Sequence, residues 1–360
     1  MLQNTNDSEF LDKLLENVSK CGYEFVDYSL QLWVPYSTII REFSVWYHLK
    51  QHHDDTSKTQ IFKHESPEDN VVEIKEAVKW SDFRMNMNYG HEESKDEHLF
   101  LFDIKLPDRK KLKQQKKNKR SAADSSYQIM DVLDKLTMKD FIMNGTCPPS
   151  RPTTKFDYTL SFEHAPIFIA GRYNKYARNL SQTPWTLKGA AATPDSEIDS
   201  VDLFISQPIK DLCKADATNF VASGREDIDV RMLGEGRPFF LEITNPHRIF
   251  MKYNDFREIE NKINENQDIR VSRLQVITKK QTSILKDGET SKQKIYRCTV
   301  WTAKEFNIWA SAGTYIKEFV HGDLGRTTPN LGSLLNTEAD ILQLDVLDID
   351  LDFPPIPTNK

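Results

Sequence analysis

From residue 155 onward the chain strings together short β-type runs, and this succession restricts its fold more than any other feature. The runs are 157–162 (DYTLSF), 166–170, 217–223, 238–244 (PFFLEIT), 270–278, 295–302 (IYRCTVWT), 306–312 and 342–352. Short segments rich in β-branched and aromatic residues read as strands. Helical spacing fits between them, notably at 199–213 and 254–266. Strands interleaved irregularly with helices predict an α+β domain on a mixed sheet.

The first third reads as a smaller α/β module. Residues 8–20 carry Phe10, Leu11, Leu14 and Leu15 at helical spacing, and 38–51 is also amphipathic. Residues 29–34 (SLQLWV) and 97–106 (EHLFLFDIKL) read as strands. The run 108–120, DRKKLKQQKKNKR, has almost no apolar residues and reads as a solvated linker suited to RNA phosphates or to nuclear import. Proline-rich Cys147–Pro152 cannot continue a helix or a central strand. A boundary there divides the 360 residues into domains of 1–150 and 155–356.

Composition narrows the classes. No apolar stretch is long enough to span a membrane, and the start, MLQNTNDSEF, lacks the pattern of a signal peptide. An intracellular, reducing compartment is therefore expected. Cys21, Cys147, Cys213 and Cys298 form no CxxC pair, so they read as inert thiols rather than as a zinc site or a disulfide framework. A net charge of −6 argues against a generic nucleic-acid binder, yet the basic run leaves room for a local phosphate-binding surface.

Three segments carry chemistry. In Gly224–Arg248, GREDIDVRMLGEGRPFFLEITNPHR, Asp227 and Asp229 point the same way if the backbone is extended, with Arg225, Arg231 and Arg237 near in sequence. Positive neighbours keep an acid ionised, which suits a carboxylate nucleophile. In Ala170–Trp185, AGRYNKYARNLSQTPW, Arg172, Lys175 and Arg178 mix with Tyr173, Tyr176 and Trp185, a combination suited to phosphates and unstacked bases. In Ser311–Leu335, a short helix from Tyr315 to His321 presents Lys317 as a partner for an aspartate.

Together these segments resemble the archaeal and eukaryotic tRNA pseudouridine synthase 10 family, over roughly residues 160–356. The likeness rests on AGRYNKYARNLSQTPW, GREDIDVRMLGEGRPF, NPHR and AGTYIKEFVHGDLGRTTPNLGSLL. Residues 25–52 are similar to the family's THUMP-like RNA-binding module. The resemblance implies a pseudouridine synthase catalytic domain, its largely antiparallel sheet flanked by helices, behind a smaller THUMP-like module. It implies isomerisation of uridine 55, uridine 54 or both in the tRNA TΨC arm, without metal or cofactor. Asp227 matches the family's catalytic aspartate, Tyr296 the tyrosine that stacks on the target base, and Lys317 the aspartate's basic partner. Arg225 is then the candidate for holding the flipped nucleotide, with Arg172 and Tyr173 as further substrate contacts. A monomer in the nucleus, the cytoplasm or both is expected.

The chain departs from the family pattern in two places. The N-terminal CxxC pairs of eukaryotic members are missing, which implies no zinc and a reduced module. The interval Trp301–Gly313 is also short, where relatives carry several dozen residues.

Overall fold

The computed structural model describes residues 8–52, 81–102, 138–184, 199–285, 293–301, 305–311 and 314–357. The basic run 108–120 and Trp185 lie outside them. The chain divides into two compact units, one of Met1–Cys21 with Asp27–Glu163, the other of Gly22–Val26 with His164–Lys360.

The first unit contains helix α1 (Ser8–Lys20), strand β1 (Ser29–Trp33), helix α2 (Tyr36–His52), strand β2 (Phe83–Gly90), helix α3 (Met138–Asn144) and strand β3 (Asp157–His164). The strands form a three-stranded sheet in the order β1-β2-β3, with β1 and β2 parallel and Leu30 opposite Met85. On β2, Phe83, Met85 and Met87 are buried at alternate positions, a strand not among those expected from the sequence. The expected strand at 97–106 is not formed over its described part. Leu99–Phe102 is a 3-10 turn instead, because Leu101 and Phe100 pack into a cluster with Ile40, Phe43 and Tyr47 of α2 and Phe141 of α3. The division between units falls after Glu163, beyond the proline-rich stretch, since β3 belongs to the three-stranded sheet.

The second unit holds a seven-stranded sheet. Its strands are β4 (Ile167–Lys175), β5 (Ala217–Ala222), β6 (Arg231–Thr244), β7 (Ile269–Ile277), β8 (Gln293–Val300), β9 (Glu305–Ser311) and β10 (Ile341–Ile349). The order is β7-β4-β6-β10-β8-β9, with β5 also paired to β6. Among the described strand pairs of this sheet β6–β10 is parallel and the others are antiparallel, so the sheet is mixed and largely antiparallel. Helix α4 (Val201–Cys213) buries Val201, Ile205, Ile209 and Cys213 at helical spacing, and Ser200 caps it by accepting from the Leu203 N–H. Burial pushes the Cys213 thiol up to about 12, which keeps it unreactive. Helix α5 (Tyr253–Ile263) packs Phe256 and Ile263 into the same core. Two short helices, α6 (Ile316–His321) and α7 (Leu331–Leu335), precede β10.

The decisive element is β6, whose partner changes along its length. Its later half pairs with β5, from Ala222 opposite Phe239 to Ala217 opposite Thr244. Its first residues pair instead with β10, Arg231 opposite Asp345 and Met232 opposite Val346. Between the two lies a bulge, because Tyr173 of β4 faces Arg237 while Lys175 faces Met232. Gly234 and Gly236 hold positive φ there, +59° and +82°. A Cβ on Gly234 would lie 1.9 Å from the Leu347 carbonyl oxygen, and one on Gly236 would lie 2.7 Å from that of Tyr173. The bulge turns carbonyls away from the ladder, and β4 answers them. Arg172 donates to the Glu235 and Gly236 oxygens at 2.9 and 2.8 Å, and Asn174 to that of Gly234 at 3.0 Å. The β5–β6 connection, residues 223–230, thus emerges at the fork where one partner strand ends and the other begins.

Replacing Gly234 by alanine should destabilise this unit by about 1–3 kcal/mol, because the new methyl meets backbone rather than a movable side chain. Denaturant or thermal unfolding of the purified variant measures this, and an unchanged midpoint would contradict the tight approach to Leu347.

Candidate active site

The loop 223–230 leaves β5 and returns into β6, and its shape is imposed from below. Tyr173 hydroxyl donates to both Glu226 carboxylate oxygens at 3.0 Å. Arg237 Nε donates to Glu226 Oε2 at 2.7 Å and its Nη1 to the Ser223 carbonyl at 2.6 Å. Both side chains of this ion pair are about 1% exposed. Burial alone disfavours the Arg237 charge, yet the neighbouring Glu226 outweighs it and raises the guanidinium above its ordinary value. Burial and the Glu226 charge push the Tyr173 phenol well above its ordinary value, so it stays a donor.

The end of β4 and the residues that follow it pin the rest of the loop. Lys175, fully buried, donates to the carbonyls of Asp227 at 2.9 Å and Ile228 at 3.1 Å. Arg178 donates to the Asp229 carbonyl at 3.0 Å and to Asp345 at 2.7 Å. Gln182 donates to the Gly224 carbonyl at 3.1 Å and to Tyr173 at 2.6 Å. The Val230 N–H closes a tight turn onto the Asp227 carbonyl at 3.1 Å.

Held in this way, the loop presents two carboxylates to one ammonium. Lys317, on the first turn of α6, lies 3.1 Å from Asp227 Oδ2 and 2.8 and 3.0 Å from the two Asp229 oxygens. Asp227 and Asp229 converge although the backbone is turned rather than extended, so alternation is not what brings them together. Burial works against both charges. Lys317 nonetheless holds Asp229 below the ordinary 3.8, and the two aspartates hold Lys317 above 10.5. A depressed carboxylate stabilises the fold at higher pH and a raised lysine at lower pH. The bridge is therefore lost only as pH falls through the lowered Asp229 value or climbs through the raised Lys317 value.

These groups line a cavity of about 430 Å³, bounded by Gln182 and Thr183, by loop residues 225–229 and by Lys317. That volume is in the range of small-ligand pockets. Arg225 is exposed at its edge. Tyr296 is on β8 and only 9% exposed, outside the cavity lining. It belongs to a row of cross-strand neighbours, Lys175–Met232–Val346–Tyr296, that shares the sheet face beneath the loop. Burial raises its phenol above the ordinary value, partly offset by the Arg237 charge. A Cβ on Gly224 would come within 3.2 Å of Lys294 Nζ, so the Lys294 side chain from β8 reaches the loop.

The expected contacts at Arg172 and Tyr173 are corrected by these positions. Arg172 is 3% exposed and bonds the carbonyls of Glu235, Gly236, Leu351 and Phe353, which leaves it no role on an RNA phosphate. Tyr173 is fully buried against Glu226 and offers no face to a base. Lys175 is likewise buried. Glu226, Gln182 and Asp345 were not singled out from sequence. Asp345 gathers Arg178, Arg231 and Arg297 at 2.7, 2.7 and 3.5 Å. Among the described residues no group of three or more His, Cys, Asp or Glu side chains is arranged to hold a metal, and no helix is long and apolar enough to cross a membrane.

Comparison with known proteins accounts for both units. Residues 1–159 match the family model "Eukaryotic Pus10, N-terminal", and residues 168–310 and 305–350 match "Pus10, C-terminal". The chain is 33% identical to the human tRNA pseudouridine synthase Pus10 over 426 residues, covering 99% of this chain and 78% of that protein. It is 31% identical to the Xenopus laevis protein of the same name, over 99% of this chain and 80% of the relative. The archaeal Thermofilum pendens protein is 29% identical over 63% of this chain and 62% of its own length. The C-terminal match breaks at 305–310, and the alignment to the human protein is longer than the chain itself, so relatives carry stretches with no counterpart here. With both family models matched in order along nearly its whole length, the chain belongs to the Pus10 family.

Proposed function

We propose that the protein is a tRNA pseudouridine synthase that isomerises uridine 55, uridine 54 or both in the TΨC arm, with Asp227 as nucleophile. The observation that carries this reading is the pairing of Asp227 with Lys317 at 3.1 Å inside a cavity whose loop is fixed by buried bonds. A pre-positioned carboxylate has little left to reorganise when the substrate arrives. The reaction breaks the N1–C1′ bond, turns the uracil and joins C5 to C1′. The C5 proton is lost and N1 gains one, so the product is an isomer. Asp227 attacks C1′ or uracil C6, and Lys317 holds it oriented.

The target base must leave its stack, at a cost of a few kcal/mol. In this reading Tyr296, 9% exposed and outside the cavity lining in the free protein, is uncovered when the nucleotide enters, and stacking on it returns about 1–3 kcal/mol. Arg225, exposed at the cavity edge, holds the nucleotide's phosphate or ribose. The first unit serves as a THUMP-like module that docks the tRNA, assisted by the basic run 108–120. A monomer acting in the nucleus or cytoplasm fits this reading. The shortened interval around β9 favours a second one, a protein of the same fold that binds RNA and turns it over weakly.

Asp227→Ala and Asp227→Asn should abolish pseudouridine formation on an unmodified tRNA transcript while tRNA affinity persists. Pseudouridine mapping together with a filter-binding assay separates the two readings, and turnover near that of the unaltered protein in either variant refutes the assignment. Tyr296→Phe should retain more activity than Tyr296→Ala, and equal rates would count against stacking. Arg237→Met removes one partner of a buried pair, so a loss of about 3–5 kcal/mol is expected in denaturant unfolding. A loss under 1 kcal/mol would show that the loop does not depend on that pair.

A further inference from the structure

Lys317 has three N–H bonds to donate. It donates to the two Asp229 oxygens at 2.8 and 3.0 Å and forms an ion pair with Asp227 Oδ2 at 3.1 Å. The hydrogen bonds of the ammonium thus fall on Asp229, while Asp227 faces it as an ion pair. One ammonium facing two carboxylates leaves the trio with a net charge of −1. Asp229 stays ionised, since its carboxyl is held below 3.8. Its position is also fixed independently of Lys317, because Arg178 holds its carbonyl at 3.0 Å.

This geometry points to a role for the second acid, and we infer that Asp229 is a positioning residue for Lys317. The inference rests on Asp227 being the nucleophile. In the free enzyme Asp229 takes most of the ammonium's hydrogen bonding. Lys317 is thereby kept from closing on Asp227 through both oxygens, which would leave the nucleophile's electron pairs engaged. Asp229 acts again when Asp227 bonds to the uridine. The attacking oxygen gives an electron pair to carbon, the displaced pair goes to the uracil ring, and the carboxylate loses its charge as it becomes an ester. At that moment the negative charge has passed to the uracil ring, and Asp229 keeps a protein-borne anion beside Lys317 in its half-buried site. With Asp229 present the ammonium stays compensated throughout, and the same contact returns Asp227 to its starting geometry on release.

The test is Asp229→Asn, which keeps the size and the carbonyl bond to Arg178 and removes only the charge. Single-turnover rates and tRNA affinity are measured from pH 5 to 9 on an unmodified transcript. The expected result is a rate constant lower by on the order of 100-fold, with the dissociation constant unchanged or tighter because a negative charge has left the RNA-facing cavity. The acid limb of the rate profile should also move to lower pH, since Lys317 then acts on Asp227 alone. A purely structural role for Asp229 would slow the reaction without that displacement. A rate constant within 3-fold of the unaltered protein, a loss confined to binding, or an acid limb that does not move overturns the inference. Retained activity in Asp227→Asn would instead overturn the nucleophile assignment on which it stands, so the two failures are distinguishable.

Discussion

The buried ion pair between Glu226 and Arg237 is the contact on which the site depends. An ionised pair 1% exposed is costly to desolvate and is tolerated only where hydrogen bonds satisfy its remaining atoms. Here Tyr173 fills the carboxylate and the Ser223 carbonyl takes a guanidinium N–H. Because Glu226 is the residue before Asp227, the pair fixes where the next side chain begins. Asp227 is 63% exposed, yet the residue beside it is locked in the core. Rigidity and access are thus combined within two adjacent positions.

The segment 170–185 shows how one stretch of sequence serves this arrangement. Its basic and aromatic residues look like equipment for gripping RNA. In the structure Arg172 answers the carbonyls of the β6 bulge, while Tyr173, Lys175, Arg178 and Gln182 each bond a different point of the loop or its supports. Buried cations directed at backbone carbonyls replace the water those carbonyls would otherwise bind. The positive charge in this segment organises the protein itself, and exposed Arg225 remains at the cavity edge.

Much of the sheet was legible because the physics is local. The strands at 269–277, 293–300 and 341–349 carry enough β-branched residues to declare themselves, and α4 shows its buried spacing plainly. The first part of β6 was not legible, since Gly234 and Gly236 break the alternation where the strand changes partner. The run at 97–106 misled, because Phe100 and Leu101 suit a helical cluster as well as a strand. At the site, Asp227 and Lys317 stood out through likeness to a family rather than through pattern. Glu226 was invisible: a glutamate between an arginine and an aspartate reads as solvated, and its burial depends on an arginine eleven residues away that only the folded sheet supplies.

The place of β9 in the sheet has a consequence for how this chain differs in length from its relatives. Among the described residues β9 pairs with β8 and no other strand and forms the margin of the sheet, at the far end of the order from β7. Material removed near such a border leaves the interior registers β4–β6 and β6–β10 as they were, and these are the pairings that set the fork beneath Asp227. A difference in length at this rim is therefore compatible with an unchanged fork beneath Asp227, and the candidate site and the outer edge of the sheet are free to vary apart.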